Sequence, residues 1–265
     1  MSTDENYLYP TIVAITSVME NKNIDTNYSF YIMHSKNLDE ESKKKLQSLQ
    51  NKYDKCQINT IDMGNEYENV YTDERISIPS YYRLALSDLL PKLNKIIWLD
   101  GDTLTFYDLS EMFSIDMNGY YYKGFLDDSS NAMDEFEIYN DHYICAGVML
   151  VNLEELRRDK MVEKFNEFIK NNSKLIHHDQ TVINVVCFKN IGILPAKYGV
   201  FNFLRTDKKI IDYLNSLRYS LKYSFDEFKE AIKDPYILHC IVKPWSSKHN
   251  DRIISGDIWM EYAKN

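Results

Sequence analysis

Two aspartates, Asp100 and Asp102, close the apolar run Lys95-Ile96-Ile97-Trp98-Leu99 and are separated by one glycine, Gly101. In an extended chain residues two apart share a side, so both carboxylates face the same way. Hard cations such as Mg²⁺ or Mn²⁺ are held by one or two carboxylates, with substrate phosphates and water completing the shell. A glycine between the acids carries no bulk and lets a diphosphate approach the backbone closely. The tripeptide therefore reads as half of a cation and diphosphate site. Asp-Gly also marks ordinary turns, so its place in the chain matters. It ends a mid-chain strand, and α/β sheets bind ligands at the carboxyl ends of their strands.

Alternating helices and strands must carry this pair. Residues Tyr9 to Glu20 spread Ile12, Val13, Ala14, Ile15 and Val18 over several turns before Asn21-Lys22-Asn23 break the pattern, which predicts a short helix. Tyr28 to His34 reads as a strand. Asp39 to Tyr53 is an exposed helix with an acidic start and a stripe of Leu46 and Leu49. Cys56 to Met63 alternates like a strand, and Pro79 to Leu90 is a helix entered through proline. Strand Lys95 to Leu99 follows. Beyond the aspartates, Tyr120 to Leu126 and Ala146 to Val151 predict strands, and Leu153 to Ile169 and Asp179 to Cys187 predict helices. After Leu204 the pattern is mainly helical except at Tyr236 to Cys240. Such alternation predicts an α/β layered fold with a largely parallel sheet, antiparallel strands being allowed in the second half.

A chain of 265 residues with 44% hydrophobic content can bury a full core. No linker, repeat or low-complexity tract divides it. The formal charge of -9 argues against a nucleic-acid partner, because phosphate affinity needs clustered Lys and Arg. No apolar run has the length of a membrane span, and Met1 to Asn6 is too polar for a secretory signal, so cytoplasmic residence is the expectation. Cys56, Cys145, Cys187 and Cys240 lie far apart in apolar surroundings, as buried reduced thiols do.

Several blocks stand in a telling order: Thr3-Asp4-Glu5-Asn6-Tyr7, Tyr82-Arg83-Leu84, Ile97 to Asp102, Ala146 to Leu153, His178-Asp179-Gln180, and His239 followed by Lys243-Pro244-Trp245. Together they resemble the family-8 retaining glycosyltransferases, which include glycogenin and the bacterial lipopolysaccharide galactosyl- and glucosyltransferases. The resemblance extends over nearly the whole chain. It implies a single GT-A type α/β domain over residues 1–265, with a mixed, mostly parallel sheet flanked by helices. Residues 205–265 form its mainly helical C-terminal part, carrying His239 and Lys243. A UDP-sugar donor, a carbohydrate acceptor and a Mn²⁺ or Mg²⁺ cofactor are implied with it.

Carried over by residue, Asp100 and Asp102 bind the metal and His239 supplies a third ligand, an imidazole beside carboxylates suiting Mn²⁺. Lys243 faces the diphosphate as a point charge. Asp4, Asn6 and Tyr7 match the loop that holds the nucleotide, Tyr7 stacking on the base. Arg83 matches a residue that touches the donor sugar, Asp127 a sugar- or acceptor-side acid whose register Asp128 leaves open, and Asp179 a partner of sugar hydroxyls. Gln180 matches the residue nearest the reacting face. An amide is a poor nucleophile and double displacement normally uses a carboxylate, so the expected chemistry is a front-face substitution. Each residue also has a plainer reading: a frayed terminus, a helix-surface arginine, a core histidine, a helix-capping aspartate.

Three departures stand out. Relatives have an apolar strand ahead of the Asp-Glu-Asn-Tyr loop, and here only Met1 and Ser2 precede Thr3. A truncated first strand is expected, with the natural product beginning several residues upstream. Cys145 stands where the family commonly has Asn, which puts sugar preference or acceptor geometry in doubt. Three residues separate His239 from Lys243, where relatives have about five including a glycine, which weakens the Lys243 assignment.

Other readings compete. Asp-Gly-Asp-Thr superficially matches the nucleophile loop of haloacid-dehalogenase-like phosphatases, with Gly256-Asp257 as the only downstream Gly-Asp pair. A sugar-nucleotide-binding pseudoenzyme would keep the fold without turnover. Self-glucosylation is suggested by 21 tyrosines but is discounted, since Tyr is unremarkable in an Asn-, Lys- and Ile-rich chain.

Overall fold

The computed structural model describes residues 1–265 except 74–75, 129, 138–141, 173, 205, 218–221, 247–255 and 265. In chain order the elements are β1 (Ser2–Thr3), α1 (Leu8–Glu20), β2 (Tyr28–His34), α2 (Glu40–Lys52), β3 (Cys56–Asp62), a 3₁₀ helix (Ile78–Ala85), α3 (Leu86–Leu89), β4 (Lys95–Leu99) and β5 (Thr103–Thr105). They continue with α4 (Ser110–Ser114), β6 (Tyr122–Leu126), α5 (Ser130–Glu135), β7 (Ile144–Asn152), α6 (Leu153–Arg158), α7 (Met161–Asn171) and α8 (His178–Val186). The last are β8 (Ile191–Ile193), β9 (Val200–Phe201), α9 (Asp207–Ser216), α10 (Phe225–Lys233), β10 (Ile237–His239) and α11 (Gly256–Tyr262).

The strands form mixed sheets. β1, β2 and β3 run parallel, whereas β7 runs antiparallel to both β4 and β6, and β8 joins β6 in parallel. A third sheet places β10 between β5, antiparallel, and β9, parallel. β7 is buried along almost its whole length, which is why Ile144 to Val151 reads as a continuous apolar run rather than an alternating one.

Helix α2 behaves as its sequence demands: Asp39 caps it by accepting from the Ser42 amide at 2.7 Å, and Leu46 and Leu49 face the core. Two expected helices are divided. Pro79 to Leu90 begins as a 3₁₀ helix that passes into the short α3, and Leu153 to Ile169 breaks between α6 and α7. The second break falls at Lys160, whose φ of 53° is left-handed, just after Asp159, which accepts a 2.6 Å bond from Tyr121 Oη.

At the N-terminus, Ser2 and Thr3 pair with Met33 and His34, and the Met1 carbonyl accepts from the Met33 amide at 3.0 Å. The Met1 ammonium donates to the Tyr31 carbonyl at 3.0 Å, and its burial pushes its pKa down to about 5. Beyond it, β2 and β4 border an apolar cavity of about 500 Å³, lined by Phe30, Leu86, Leu90, Ile97 and Leu99 among others.

Candidate active site

The antiparallel pairing of β10 with β5 sets His239 opposite Thr103, and the Cys240 amide donates to the Asp102 carbonyl at 2.8 Å. That register brings an imidazole from the far part of the chain to the Asp100-Gly101-Asp102 turn. Ligand atoms of Asp100, Asp102 and His239 then lie within 4.8 Å of one another. All three line a cavity of about 590 Å³, together with Asp4, Tyr7, Arg83, Gly101, Asp127, Asp179, Gln180 and Lys243. Of the residues matched to the family's site, Asn6 is absent from this wall: it is exposed on the turn, where the Asp4 carboxylate accepts from the Tyr7 amide at 3.0 Å. Gly101 serves packing as well as access. A Cβ there would stand 2.5 Å from Thr11 Oγ1, so the glycine lets α1 close on the turn.

The two aspartates have different neighbours. Asp100 Oδ1 accepts from Trp98 Nε1 at 2.8 Å and lies 3.0 Å from Arg83 Nη2. Asp102 Oδ2 pairs with Lys243 Nζ, and Oδ1 lies 3.2 Å from His239 Nε2. Nε2 approaches Oδ1 off the hydrogen-bond axis, so this contact is an ion pair and not a well-formed hydrogen bond. Burial would push the Asp102 carboxyl up, but Lys243 and His239 prevail and hold it far below the usual carboxylate range. Burial would likewise lower His239, yet Asp102 and then Cys145 raise it.

Arg83 is no surface arginine. It is 5% exposed, and its guanidinium lies over the Trp98 ring at 4.8 Å, with Nε 2.9 Å from Asp179 Oδ2 and Nη1 donating to the Ala146 carbonyl. Burial opposes its charge, but Asp100 and Asp179 raise its pKa further. Asp179 follows the opposite balance: burial prevails over Arg83 and pushes its carboxyl up to about 6.

Gln180 is clamped at both ends of its amide. Oε1 accepts from the Ala146 amide at 2.9 Å and Nε2 donates to Asp127 Oδ2 at 2.9 Å. Asp127 faces the cavity while Asp128 is exposed and donates its amide to Asp127 Oδ1 at 2.8 Å, which fixes the register between them. Burial pushes the Asp127 carboxyl up, against the Gln180 bond.

Sequence reasoning passed over Asn202. Fully buried, it donates from Nδ2 to the Val242 carbonyl at 2.7 Å and accepts the Val242 amide on Oδ1 at 3.1 Å. This staple fixes the short connection after His239 and turns Lys243 toward Asp102 and over Tyr7, whose ring centroid is 5.7 Å from Nζ. No periodic signal marks such a residue. Trp245 then meets Tyr7 edge-on at 6.0 Å, joining the two ends of the chain beside the cavity.

Two carboxylates, one of them with a buried oxygen that lacks a well-formed hydrogen bond, and an imidazole form a donor set that fits Mn²⁺ or Mg²⁺. The sequence pattern of Glycosyl transferase family 8 matches residues 1–249. The chain belongs to this family. Its relatives include the lipopolysaccharide 1,2-glucosyltransferase of Escherichia coli, 28% identical over 254 residues, covering 91% of this chain and 71% of that one. A Haemophilus influenzae protein named only as a glycosyltransferase is 29% identical over 226 residues, covering 82% of this chain and 66% of its own length. Among solved structures, the galactosyltransferase LgtC, determined with donor and acceptor sugar analogues, superposes with a TM-score of 0.80 at 19% identity, covering 99% of this chain and 94% of its own. The bifunctional glycosyltransferase WbbM gives 0.82 at 20% identity over the whole of this chain, which spans about half of WbbM, 49%. These likenesses establish the GT-A fold. The dehalogenase-like reading fails against this family, and Asp257, on α11, is not in the cavity wall.

Proposed function

We propose that this family-8 protein is a cation-dependent, retaining hexosyltransferase that moves glucose or galactose from a UDP-sugar to a hydroxyl of a glycan or lipopolysaccharide-type acceptor. One observation carries the reading: Asp100, Asp102, His239 and Lys243 gather on the same cavity as Gln180 and Asp127. The name of the Escherichia coli relative supports glucose as the sugar and lipopolysaccharide as the acceptor class. A UDP-sugar donor and four free cysteines fit work in the cytoplasm, and no described helix is long and apolar enough to cross a membrane.

In this reading Tyr7 and Asp4 receive the nucleotide. Lys243 leaves Asp102 for the diphosphate and balances the charge that grows as the glycosidic oxygen departs. Bound Mn²⁺ or Mg²⁺, held by Asp100, Asp102 and His239, would neutralise the same diphosphate as a Lewis acid. Arg83 and Asp179 orient the hexose. The bond from the anomeric carbon to the phosphate oxygen breaks, the acceptor oxygen bonds to that carbon on the same face, and the acceptor proton passes to the departing phosphate. Gln180, held by Ala146 and Asp127, presents its carbonyl oxygen to the positive sugar without forming a bond to it.

Incubation with UDP-glucose and UDP-galactose, with Mn²⁺ and with EDTA, tests the proposal. UDP release that needs the cation, and an α-linked product by NMR, are expected. Silence with both sugars from folded protein would leave a sugar-nucleotide-binding protein without turnover, and label on the protein itself would mean self-glycosylation.

A further inference from the structure

Cys145 has no role in the chemistry above, yet it lines the cavity and its sulfur touches the imidazole assigned to the cation. We propose that Cys145 is a positioning residue that fixes which nitrogen of His239 faces the cation. The inference rests on the metal reading of Asp100, Asp102 and His239.

The imidazole is held on every side. A Cβ on Gly147 would stand 2.1 Å from His239 Cε1, so the β7 backbone lies against the ring edge. The Phe201 ring stands 5.8 Å away, centroid to centroid, on the neighbouring strand. Nε2 lies on the side of the acids, 3.2 Å from Asp102 Oδ1, while Nδ1 lies on the side of Cys145, 3.7 Å from Sγ. The β7 backbone, Phe201, Asp102 and Cys145 thus surround the ring.

A neutral imidazole carries its hydrogen on one nitrogen and its lone pair on the other. If Nδ1 is protonated and donates to Sγ, the Nε2 lone pair faces Asp100 and Asp102 and can bind a cation. If the thiol donates to Nδ1 instead, the hydrogen sits on Nε2 and the ligand position is closed. Sγ also accepts the Gly147 amide at 3.5 Å, and a cation bound through Nε2 leaves the hydrogen on Nδ1, where Sγ is the acceptor in reach. Metal-bound histidines usually give their second N–H to a carboxylate, a carbonyl or water, and loss of such a partner costs about 10–100-fold in metal affinity. Sulfur is a weaker acceptor than these oxygens. The chain therefore holds its ring with a soft partner and binds its cation less tightly than an oxygen partner would allow.

The test is Mn²⁺ titration of the full-length protein with UDP present, followed by electron paramagnetic resonance, on wild type, Cys145→Ala and Cys145→Asn. Asn extends further than Cys and places an amide oxygen in reach of Nδ1. Cys145→Ala should weaken Mn²⁺ binding about tenfold or more, and Cys145→Asn should restore it to the wild-type value or beyond. With Mg²⁺ in place of Mn²⁺, ¹⁵N NMR of His239 should show the hydrogen on Nδ1 in wild type and a tautomer mixture in Cys145→Ala. Equal Mn²⁺ affinity in wild type and a folded Cys145→Ala, or a hydrogen on Nε2 in the Mg²⁺-loaded wild type, overturns the inference and leaves the metal reading standing. Wild type that binds no Mn²⁺ overturns both.

Discussion

Arg83 Nε lies 2.9 Å from Asp179 Oδ2, with both side chains out of water. The pair is nonetheless unequal, because burial raises the Asp179 carboxyl to about 6 despite the guanidinium beside it. A carboxyl whose pKa is higher folded than unfolded binds its proton more tightly in the native state. Its stabilising effect is full below the unfolded value near 4 and is lost as pH rises through about 6. Asp179→Asn should therefore flatten the stability profile between pH 4 and 6, while lowering turnover. Urea unfolding across pH measures the profile; an unchanged one counts against the burial argument.

Asp102→Asn removes the carboxylate shared by Lys243 and His239. Cation-dependent UDP release should fall at least about 100-fold. The fold should survive, because the side chain of Lys243 is 31% exposed and can turn to water. Retained activity in this variant would refute the metal assignment.

Gly147→Ala pushes a methyl group into the His239 ring. Either the imidazole or the β7 backbone must move, at a cost of about 1–3 kcal/mol by the usual penalty for overpacking. Mn²⁺ affinity should drop together with melting temperature. A variant with normal affinity would show that the ring position is not critical.

The cavity between β2 and β4 lies in line with β1. Adding four or five β-branched residues ahead of Met1 would continue the parallel pairing along Tyr31 to Tyr28 and turn a buried ammonium into an amide. Because burial lowers that amine to about 5, the parent should lose stability as pH falls from 8 toward 5, and the extended protein should not. Differential scanning fluorimetry should show a rise of about 2–4 °C for each kcal/mol gained. No rise at any pH would mean the added strand does not enter.

Long elements with a clear period were legible in the sequence. Tyr28–His34 and Lys95–Leu99 match the expected strands residue for residue, since each is an apolar run between turn-forming residues. β5, β8 and β9 are two or three residues long and owe their form to their partners, so no local pattern announces them. The site divides in the same way. The Asp pair was visible because its chemistry is contiguous, and His239 and Lys243 because of the family resemblance. The burial of Arg83 and the Asn202 staple depend on groups distant in the chain, which spacing does not reveal.

Asp102 and Lys243 meet across 141 positions of chain. During translation at about 5–20 residues per second, the acid leaves the ribosome some 7–28 s before its basic counterpart. Until the reading frame has passed position 243, the nascent protein holds Asp102 without Lys243. If the proposed function holds, competence is thus postponed to a late stage of synthesis, and a stalled product released before then should be inert toward a UDP-sugar.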